Sequence, residues 1–251
     1  MELVYKESFR VSASDVDRFG RLRPSRLLCF AQEVAGTHFN RLHVSLTTRD
    51  QRELFWAITR HRVQITRLPR EGETISVETW PLPNTRVAYP RSTVAYDEKG
   101  RELFRSISLW VLMDRESRSL IVPDKSGIAV RGVVRGNELA VPNNLLPAVL
   151  SHHDAHTVRF SELDVNGHAN NTRYLDWIED LLPSAFHETH PMKELTICYL
   201  SEAREGQHLD LAWELQDGPC VRVDAHREKS EDAAGKERVF SARVVYDTDV
   251  L

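Results

Sequence analysis

The sequence contains few cysteines and no long apolar run, and both features limit the classes of protein to which it can belong. Cys29, Cys198 and Cys220 are an odd number of cysteines without Cys-x-x-Cys spacing, which argues against a disulfide framework and against a zinc site. No apolar run approaches the roughly 20 residues that a membrane-spanning helix needs. The first residues, MELVYKESFR, lack the apolar stretch of a signal peptide. We therefore expect a cytoplasmic protein that does not span a membrane.

The charge is divided unevenly between the two halves of the chain. The net charge is −4, but residues 1–125 carry 21 Lys and Arg against 16 Asp and Glu, whereas residues 126–251 carry 12 against 21. A cluster in the basic half consists of Arg18, Arg21, Arg23 and Arg26. These arginines are candidates for docking an acidic partner or a phosphate, and the alternative is an ordinary solvated face. The acidic total and the lack of interleaved aromatics argue against nucleic acid as a partner.

The chain repeats itself once, at a spacing of about 149 residues. Asp15-Val16-Asp17 aligns with Asp164-Val165-Asn166, and each segment precedes an apolar pattern with helical period. The first helix is predicted to begin near Pro24-Ser25, because proline suits the first turn of a helix. The second is predicted to begin near Asn171 and to be distorted or ended by Pro183.

After each predicted helix the hydrophobic period shortens toward two, which is typical of β-strands separated by turn signals. The strands predicted in the first half are Phe55–Arg67, Thr74–Pro81, Arg86–Tyr96 and Glu102–Met113, and those in the second half are Glu194–Ser201, His208–Leu215, Val221–Arg227 and Arg238–Tyr246. Each half would then consist of a strand, a loop, a long helix and an antiparallel sheet wrapped around that helix.

The region between the halves has no sustained period and contains several glycines and prolines. We predict a linker at residues 126–152 between domains at 1–125 and 153–251. His152, His153 and His156 resemble a metal cluster, but only Asp154 accompanies them at a ligand-like spacing. We interpret them as exposed linker histidines, and we predict neither a metal nor another cofactor.

The segment DVNGHANN, residues 164–171, is the most informative part of the chain. Asp164, Asn166 and His168 alternate, so an extended backbone would project them to one side. The helix that follows offers N–H groups at Asn171 and Thr172. Together these groups could orient a water, move a proton and stabilise an oxyanion, which hydrolysis of an ester or thioester requires. The alternative is a helix cap and turn, which favour the same residue types.

Several segments together resemble the acyl-acyl carrier protein (acyl-ACP) thioesterases. They are DVDRFGRLRPSRLL at residues 15–28, the pair Trp80-Pro81, SLWVLMD at residues 108–114 with Arg118, DVNGHANN, and Tyr174 with Trp177. The resemblance extends over nearly the whole chain, although DVNGHANN alone would not separate this family from other hotdog-fold thioesterases. It implies an α+β fold of two tandem hotdog domains, each a long central helix wrapped by an antiparallel β-sheet. The first domain would hold the acyl chain, and the second would carry catalysis.

The resemblance also implies roles for individual residues. Asp164, Asn166 and His168 match the family's Asp-x-Asn-x-His pattern, and Glu202 matches the acid that follows on the next strand. The plant enzymes have a cysteine directly after that acid, whereas this chain has Ala203, which excludes a cysteine nucleophile there. We therefore expect either water attack with Glu202 as general base, its pKa raised if an apolar tunnel desolvates it, or attack by its carboxylate.

The other residues of the pattern would support this attack. His168 would polarise the thioester and protonate the leaving thiolate, Asp164 would fix the loop and the imidazole, and Asn166 would hold the water or the carbonyl. In the first-half loop, Asp17 and Phe19 stand where this alignment places Asn166 and His168. Only the second of the two sites is therefore expected to react.

An apolar slot for the acyl chain is expected between helix and sheet. Candidate lining residues are Phe30, Val34, Trp56, Ile58 and Trp110, with ordinary core packing as the alternative for each. The carrier protein would dock on the arginine cluster. The competing functions are an acyl-coenzyme A thioesterase, a non-catalytic acyl-thioester-binding hotdog protein and a dehydratase. The preferred chain length, and the choice between a monomer and a homodimer, stay open.

Overall fold

The structure is a computed structural model that describes residues 3–42, 46–47, 52–128, 130–216, 218–229 and 235–248. Its backbone divides into two compact units, Met1–Pro142 and Asn143–Leu251, which we call the N-terminal unit and the C-terminal unit. The predicted linker, residues 126–152, is therefore shared between the two units. Within the described ranges, no helix combines the length and the apolar character that crossing a membrane requires.

The N-terminal unit is an antiparallel sheet with one long helix. Its elements are β1 (Tyr5–Arg10), α1 (Pro24–Arg41), β2 (Leu54–Ile65), β3 (Thr74–Pro81), β4 (Tyr89–Asp97), β5 (Glu102–Asp114), β6 (Leu120–Ile121) and α2 (Pro123–Ser126). The strands pair in the order β1-β3-β4-β5-β2, and β6 pairs with β5. All four predicted strands are confirmed. Strand β4 begins later than predicted because the Thr85 hydroxyl accepts the N–H groups of Val87 and Ala88, which forms a turn there.

Helix α1 follows its sequence pattern closely. Pro24 occupies the first turn, where its missing N–H would have no partner within the helix. The apolar stripe, including Leu27, Ala31 and Val34, is buried, and the helix packs against β1 and β3. The expectation of a long helix against a sheet is confirmed for this unit.

The C-terminal unit repeats the sheet. Its elements are β7 (His152–Thr157), α3 (Arg173–Glu179), α4 (Ser184–Thr189), β8 (Met192–Tyr199), β9 (His208–Gln216), β10 (Cys220–Glu228) and β11 (Lys236–Tyr246). The strands pair antiparallel in the order β8-β11-β10-β9-β7. The four predicted strands are confirmed to within a few residues.

The helix of the C-terminal unit is much shorter than predicted. Helix α3 has only seven residues and ends at Glu179, and the separate α4 begins after Pro183. A proline ring clashes with the carbonyl four residues earlier, which belongs to Glu179, and it disfavours helical geometry at the preceding Leu182. The prediction of a long central helix is therefore wrong for this half of the chain.

The three histidines assigned to the linker lie in strand β7, so that assignment is wrong. His153 Nδ1 lies 2.8 Å from Asp210 Oδ1 on β9, and the rings of His152 and Trp213 stack at 4.7 Å. His156 contacts Glu162 at 3.1 Å. The sequence showed no alternation of apolar residues here because β7 is a largely exposed edge strand of polar residues.

The residues just before β7 are bound to the sheet of the C-terminal unit, and we call residues 143–148 the tether. Arg238 donates to the carbonyl of Leu145 at 3.3 Å, and Arg222 donates to that of Leu146 at 2.6 Å. The backbone N–H of Ala148 donates to Asp224 Oδ2 at 2.9 Å. Buried or partly buried charged side chains therefore satisfy the backbone of a segment that has no regular secondary structure.

Candidate active site

The DVNGHANN loop is a closed turn rather than the extended segment that alternation suggested. The Asp164 N–H donates to the carbonyl of His168 at 2.7 Å, and the Gly167 N–H donates back to the carbonyl of Asp164 at 3.0 Å. Gly167 has φ 76°, a left-handed conformation that glycine adopts without strain. The prediction that the three polar side chains project from one side of a strand is therefore wrong, because Gly167 reverses the chain between Asn166 and His168.

The Asp164 carboxylate holds this turn together. Its Oδ1 accepts the N–H of Asn166 at 2.8 Å and that of His168 at 3.3 Å, and its Oδ2 accepts the Asn166 side-chain amide at 3.4 Å. These contacts agree with the expectation that Asp164 fixes the loop. They act through the backbone rather than through the imidazole of His168.

His168 and Glu202 form the closest acid–base pair of the site, with His168 Nε2 3.0 Å from Glu202 Oε2. The His168 side chain is 13% exposed and that of Glu202 is 38% exposed. Two adjacent segments bring them together, since the Ala169 N–H donates to the carbonyl of Ala203 at 2.8 Å. Glu202 lies beyond the end of β8 at Tyr199, not on the strand as predicted. The pair is therefore largely shielded on the imidazole side and open to solvent on the carboxylate side.

Arg227 on β10 supports the segment that carries Glu202, and sequence reasoning missed it. It donates to Ser201 Oγ at 2.7 Å, to Gln207 Oε1 at 2.7 Å and to the carbonyl of Glu202. Glu237 holds the guanidinium itself at 2.8 Å. No short-range motif indicates this role, because Arg227 reaches the segment only through the fold of the sheet.

Glu162 is a second supporting residue that the sequence did not single out. Its carboxylate accepts the Trp177 Nε1–H at 2.7 Å and the Arg159 N–H at 2.7 Å, and it contacts His156 at 3.1 Å. Partial burial acts to raise the pKa of Glu162, but these hydrogen bonds outweigh it and lower the pKa. The Glu162 carbonyl also accepts the N–H of Asn170 at 2.8 Å, which connects this cluster to the loop.

The two proposed oxyanion donors differ in their surroundings. The Thr172 N–H and hydroxyl both donate to Asn170 Oδ1, each at 3.0 Å, so this N–H is bonded within the turn before α3 and is not available to a substrate oxygen in this geometry. The Asn171 carbonyl accepts the Tyr199 hydroxyl at 3.0 Å. The assignment of the Asn171 N–H to an oxyanion stays a prediction.

The N-terminal unit contains the same turn, at a spacing of 147 residues rather than 149. There the Asp17 N–H donates to the carbonyl of Arg21 at 2.7 Å, and the Leu22 N–H donates to that of Pro69 at 2.7 Å. The corrected pairs are Asp17 with Asp164, Phe19 with Asn166, Arg21 with His168 and Leu68 with Glu202. The spacing of 149 residues came from aligning the two Asp-Val pairs, whereas the two turns align at a spacing of 147 residues. The N-terminal loop thus keeps the acid that holds the turn, but it lacks the imidazole and the second carboxylate.

The arginine cluster of this N-terminal loop is partly committed to local contacts. Arg21 pairs with Asp17 at 3.1 Å, and Arg26 pairs with Asp15 at 2.8 Å. Arg23 donates to the carbonyl of Val16 at 2.9 Å, and Arg18 lies over the Phe19 ring at 5.4 Å. Only Arg18 and Arg23 of the four are exposed.

The N-terminal unit also contains an apolar cavity of about 430 Å³, a volume that includes its open mouth. Trp56 and Trp110, two of the residues predicted to line an acyl slot, line this cavity, and their role in binding an acyl chain stays a prediction. Phe30, Val34 and Ile58 are buried side chains outside its lining, and Phe30 stacks on Phe9 at 4.7 Å. Their assignment to acyl-chain binding stays a prediction.

Comparison with known families matches both units. The family described as acyl-ACP thioesterase N-terminal domain matches residues 2–125, and the one described as acyl-ACP thioesterase C-terminal domain matches residues 149–240. The chain is 25% identical over 218 residues to the palmitoyl-acyl carrier protein thioesterase of Cuphea hookeriana. That alignment covers 80% of this chain and 52% of the relative. It is 25% identical over 228 residues to oleoyl-acyl carrier protein thioesterase 1 of Arabidopsis thaliana, which covers 83% and 63%. The chain thus spans about half to two-thirds of the length of these relatives.

Solved structures match nearly the whole chain. An acyl-ACP thioesterase from Bacteroides thetaiotaomicron has a TM-score of 0.83 at 20% identity, covering 97% of this chain and 98% of that one. The 12:0-ACP thioesterase from Umbellularia californica has a TM-score of 0.80 at 23% identity, covering 98% of each chain. This likeness concerns the fold, and it confirms the predicted α+β hotdog class. Because the two family descriptions account for residues 2–125 and 149–240, this chain belongs to the acyl-ACP thioesterase family.

Proposed function

We propose that this chain hydrolyses the thioester of a fatty acyl-acyl carrier protein and releases the free fatty acid. Family membership supports the substrate class and the reaction. The observation that carries the proposal is the 3.0 Å contact between His168 Nε2 and Glu202 Oε2. This contact joins a base to an acid at a position that solvent reaches, which hydrolysis by water requires.

In the proposed reaction, Glu202 accepts a proton from water while the water oxygen bonds to the thioester carbon. The carbon–sulfur bond then breaks, and the proton passes from Glu202 through His168 to the leaving thiolate. Both side chains thereby return to their starting state. Asp164 keeps His168 in place by holding the turn, and Arg227 keeps Glu202 in place by holding residues 201–207.

Attack by the Glu202 carboxylate itself is the competing route, and isotope labelling separates the two. In a single turnover in ¹⁸O-labelled water, direct water attack places the label in the fatty acid alone. An anhydride on Glu202 can instead transfer the label to that side chain when it is hydrolysed. We expect no label in the peptide that contains Glu202, and label found there would establish the competing route.

The carrier is the second part of the proposal, and rates on matched substrates test it. We expect faster release from acyl-ACP than from the corresponding acyl-coenzyme A, across medium and long acyl chains. Equal or faster release from coenzyme A would favour the acyl-coenzyme A thioesterase alternative, and no release from either carrier would favour the non-catalytic one. The cytoplasmic location and the monomer or homodimer state stay predictions.

Docking of the acidic carrier is proposed on the exposed Arg18 and Arg23, whereas Arg21 and Arg26 mainly stabilise the local turn. Replacing both exposed arginines by glutamine is expected to raise KM for acyl-ACP by about 2- to 30-fold, since exposed charge pairs contribute about 0.2–1 kcal/mol each. KM for acyl-coenzyme A should change less, and the difference should shrink at high salt. Unchanged KM for acyl-ACP would exclude this surface.

A further inference from the structure

The cavity of the N-terminal unit contains a charged group that the proposed reaction does not use. Arg91 on β4 lines the cavity beside Trp56, Trp110, Tyr89 and Phe39. Arg91 is only 7% exposed. A guanidinium buried among aromatic side chains is unusual, because taking a charge out of water is costly unless an opposite charge compensates it.

The protein supplies Arg91 with neutral partners. Its Nη1 donates to His38 Nδ1 at 3.1 Å and to Thr79 Oγ1 at 3.3 Å. Among the residues that the structure describes, no carboxylate forms an ion pair with it. Burial lowers the pKa of Arg91 to about 10, which leaves the group charged at neutral pH. The cavity therefore contains a positive charge without a counter-ion from the described part of the chain.

A second polar group of the lining lacks a hydrogen-bond acceptor. Trp56 Nε1 is buried and has no hydrogen-bond partner in the described ranges. Two other polar groups of the lining do have hydrogen-bond partners. Trp110 Nε1 donates to Ser108 Oγ at 2.8 Å, and the Tyr89 hydroxyl contacts Ser126 Oγ at 2.8 Å. Among the described residues, the cavity thus offers a cation without a counter-ion and an N–H donor without an acceptor.

We propose that this cavity is a carboxylate site, which binds an apolar chain whose carboxylate pairs with Arg91. The aromatic side chains of the lining offer the chain an apolar surface, and the cavity opens to solvent. Two ligands share this chemistry: a free fatty acid, and an acyl thioester with a carboxylate at the far end of its chain. The free fatty acid is the product of the proposed reaction, so naming it as the ligand rests on the proposed function. The binding of a carboxylate beside Arg91 does not rest on that function.

Calorimetric titration with decanoate, below its micelle concentration, and with 1-decanol tests the site in the full chain. We expect decanoate to bind at least tenfold more tightly than decanol, and we expect Arg91→Gln to abolish that preference. Arg91→Lys should retain part of it because it keeps the charge, and Arg86→Gln, at an exposed arginine, should leave it unchanged. Quenching of tryptophan fluorescence by the ligand should be reduced in Trp56→Phe.

Equal affinity for decanoate and decanol in the wild-type protein would overturn the proposal, as would a preference for decanoate that persists in Arg91→Gln. The first comparison needs no variant, so misfolding of a variant leaves the proposal testable. Titration with the decanoyl and the ω-carboxydecanoyl thioesters of N-acetylcysteamine, in the Glu202→Gln background, separates the two sources. Tighter binding of the carboxylated thioester identifies the substrate end as a ligand. Because no turnover is measured, failure of the hydrolytic proposal would not affect this result.

Discussion

At the scale of single residues, Asp164 and Glu202 make different kinds of contact in the candidate site. Asp164 binds backbone N–H groups, and Glu202 is the residue that contacts the imidazole. Spacing along a sequence does not specify such contacts, because they depend on how two distant segments pack. For the same reason no sequence motif indicated Arg227 or Glu162, whose contacts exist only in the folded unit.

Asp164 is predicted to act on catalysis by positioning. Asp164→Ala removes the acceptor of two N–H groups in the turn, and we expect kcat to fall by about 10²-fold, the loss typical of a catalytic group displaced by about 1 Å. Asp164→Asn keeps one acceptor oxygen and should lose less. Steady-state kinetics with circular dichroism as a folding control will check this order. Equal loss in the two variants would contradict the positioning role.

His61 on β2 gives a pH dependence of stability. It is buried, and desolvation lowers its pKa to about 4 from the model-peptide value of 6.5. Between pH 6.5 and pH 4 the unfolded chain therefore binds a proton on this residue that the native state does not. Stability should fall as the pH is lowered through this window, by about 3 kcal/mol.

The variant His61→Gln isolates this contribution. Urea denaturation at several pH values should show a shallower decline for the variant than for the wild-type protein. Parallel curves for the two proteins would mean that His61 does not contribute.

At the scale of elements, apolar runs and their period identified the strands. Strand β3 buries alternate residues over most of its length, whereas β4 and β10 bury consecutive residues on both faces. The hydrophobic period failed for β7, which buries almost nothing, and it overestimated α3, whose apolar pattern continues past the point where Pro183 ends the helix. The hydrophobic period of a segment indicates which of its residues are buried. The length of a helix also depends on steric constraints on the backbone, such as those that proline imposes.

The turn before α3 offers a direct test of the Asn170 contacts. Asn170 Oδ1 accepts both the N–H and the hydroxyl of Thr172, so Asn170→Ala should destabilise the protein by about 1 kcal/mol. Asn170→Asp retains the acceptor and should be nearly neutral. Denaturation midpoints will show the difference, and an Ala variant as stable as the wild type would exclude a contribution of these two hydrogen bonds.

At the scale of the whole molecule, the sequence indicated two similar halves, and the two units contain the same hydrogen-bonded turn. Of these two turns, only the one in the C-terminal unit carries an acid–base pair. Glycine and proline content suggested a linker at residues 126–152. Much of that segment is instead bound to the sheets, because buried side chains such as Asp224 and Arg222 satisfy its backbone. Composition alone carries no information about such tertiary partners.

The tether should depend on Asp224. This carboxylate is fully buried; it accepts the Ala148 N–H and lies 3.4 Å from Arg222. Asp224→Ala leaves a buried cation without its partner, and we expect a loss of about 3–5 kcal/mol in the free energy of unfolding. Glu228→Ala, on the same strand but exposed, should change it little. Similar losses in the two variants would contradict the role of the tether.

Single-turnover hydrolysis of acyl-ACP by Glu202→Gln tests the central claim most directly, because this substitution removes the proposed base and keeps the shape of the side chain. Glu205→Gln is the matched control, an exposed glutamate in the same segment. We predict a loss of about 10²- to 10⁴-fold for Glu202→Gln, the usual contribution of general acid–base catalysis, and a near-normal rate for the control. A Glu202→Gln protein that hydrolyses acyl-ACP at the wild-type rate would contradict the account.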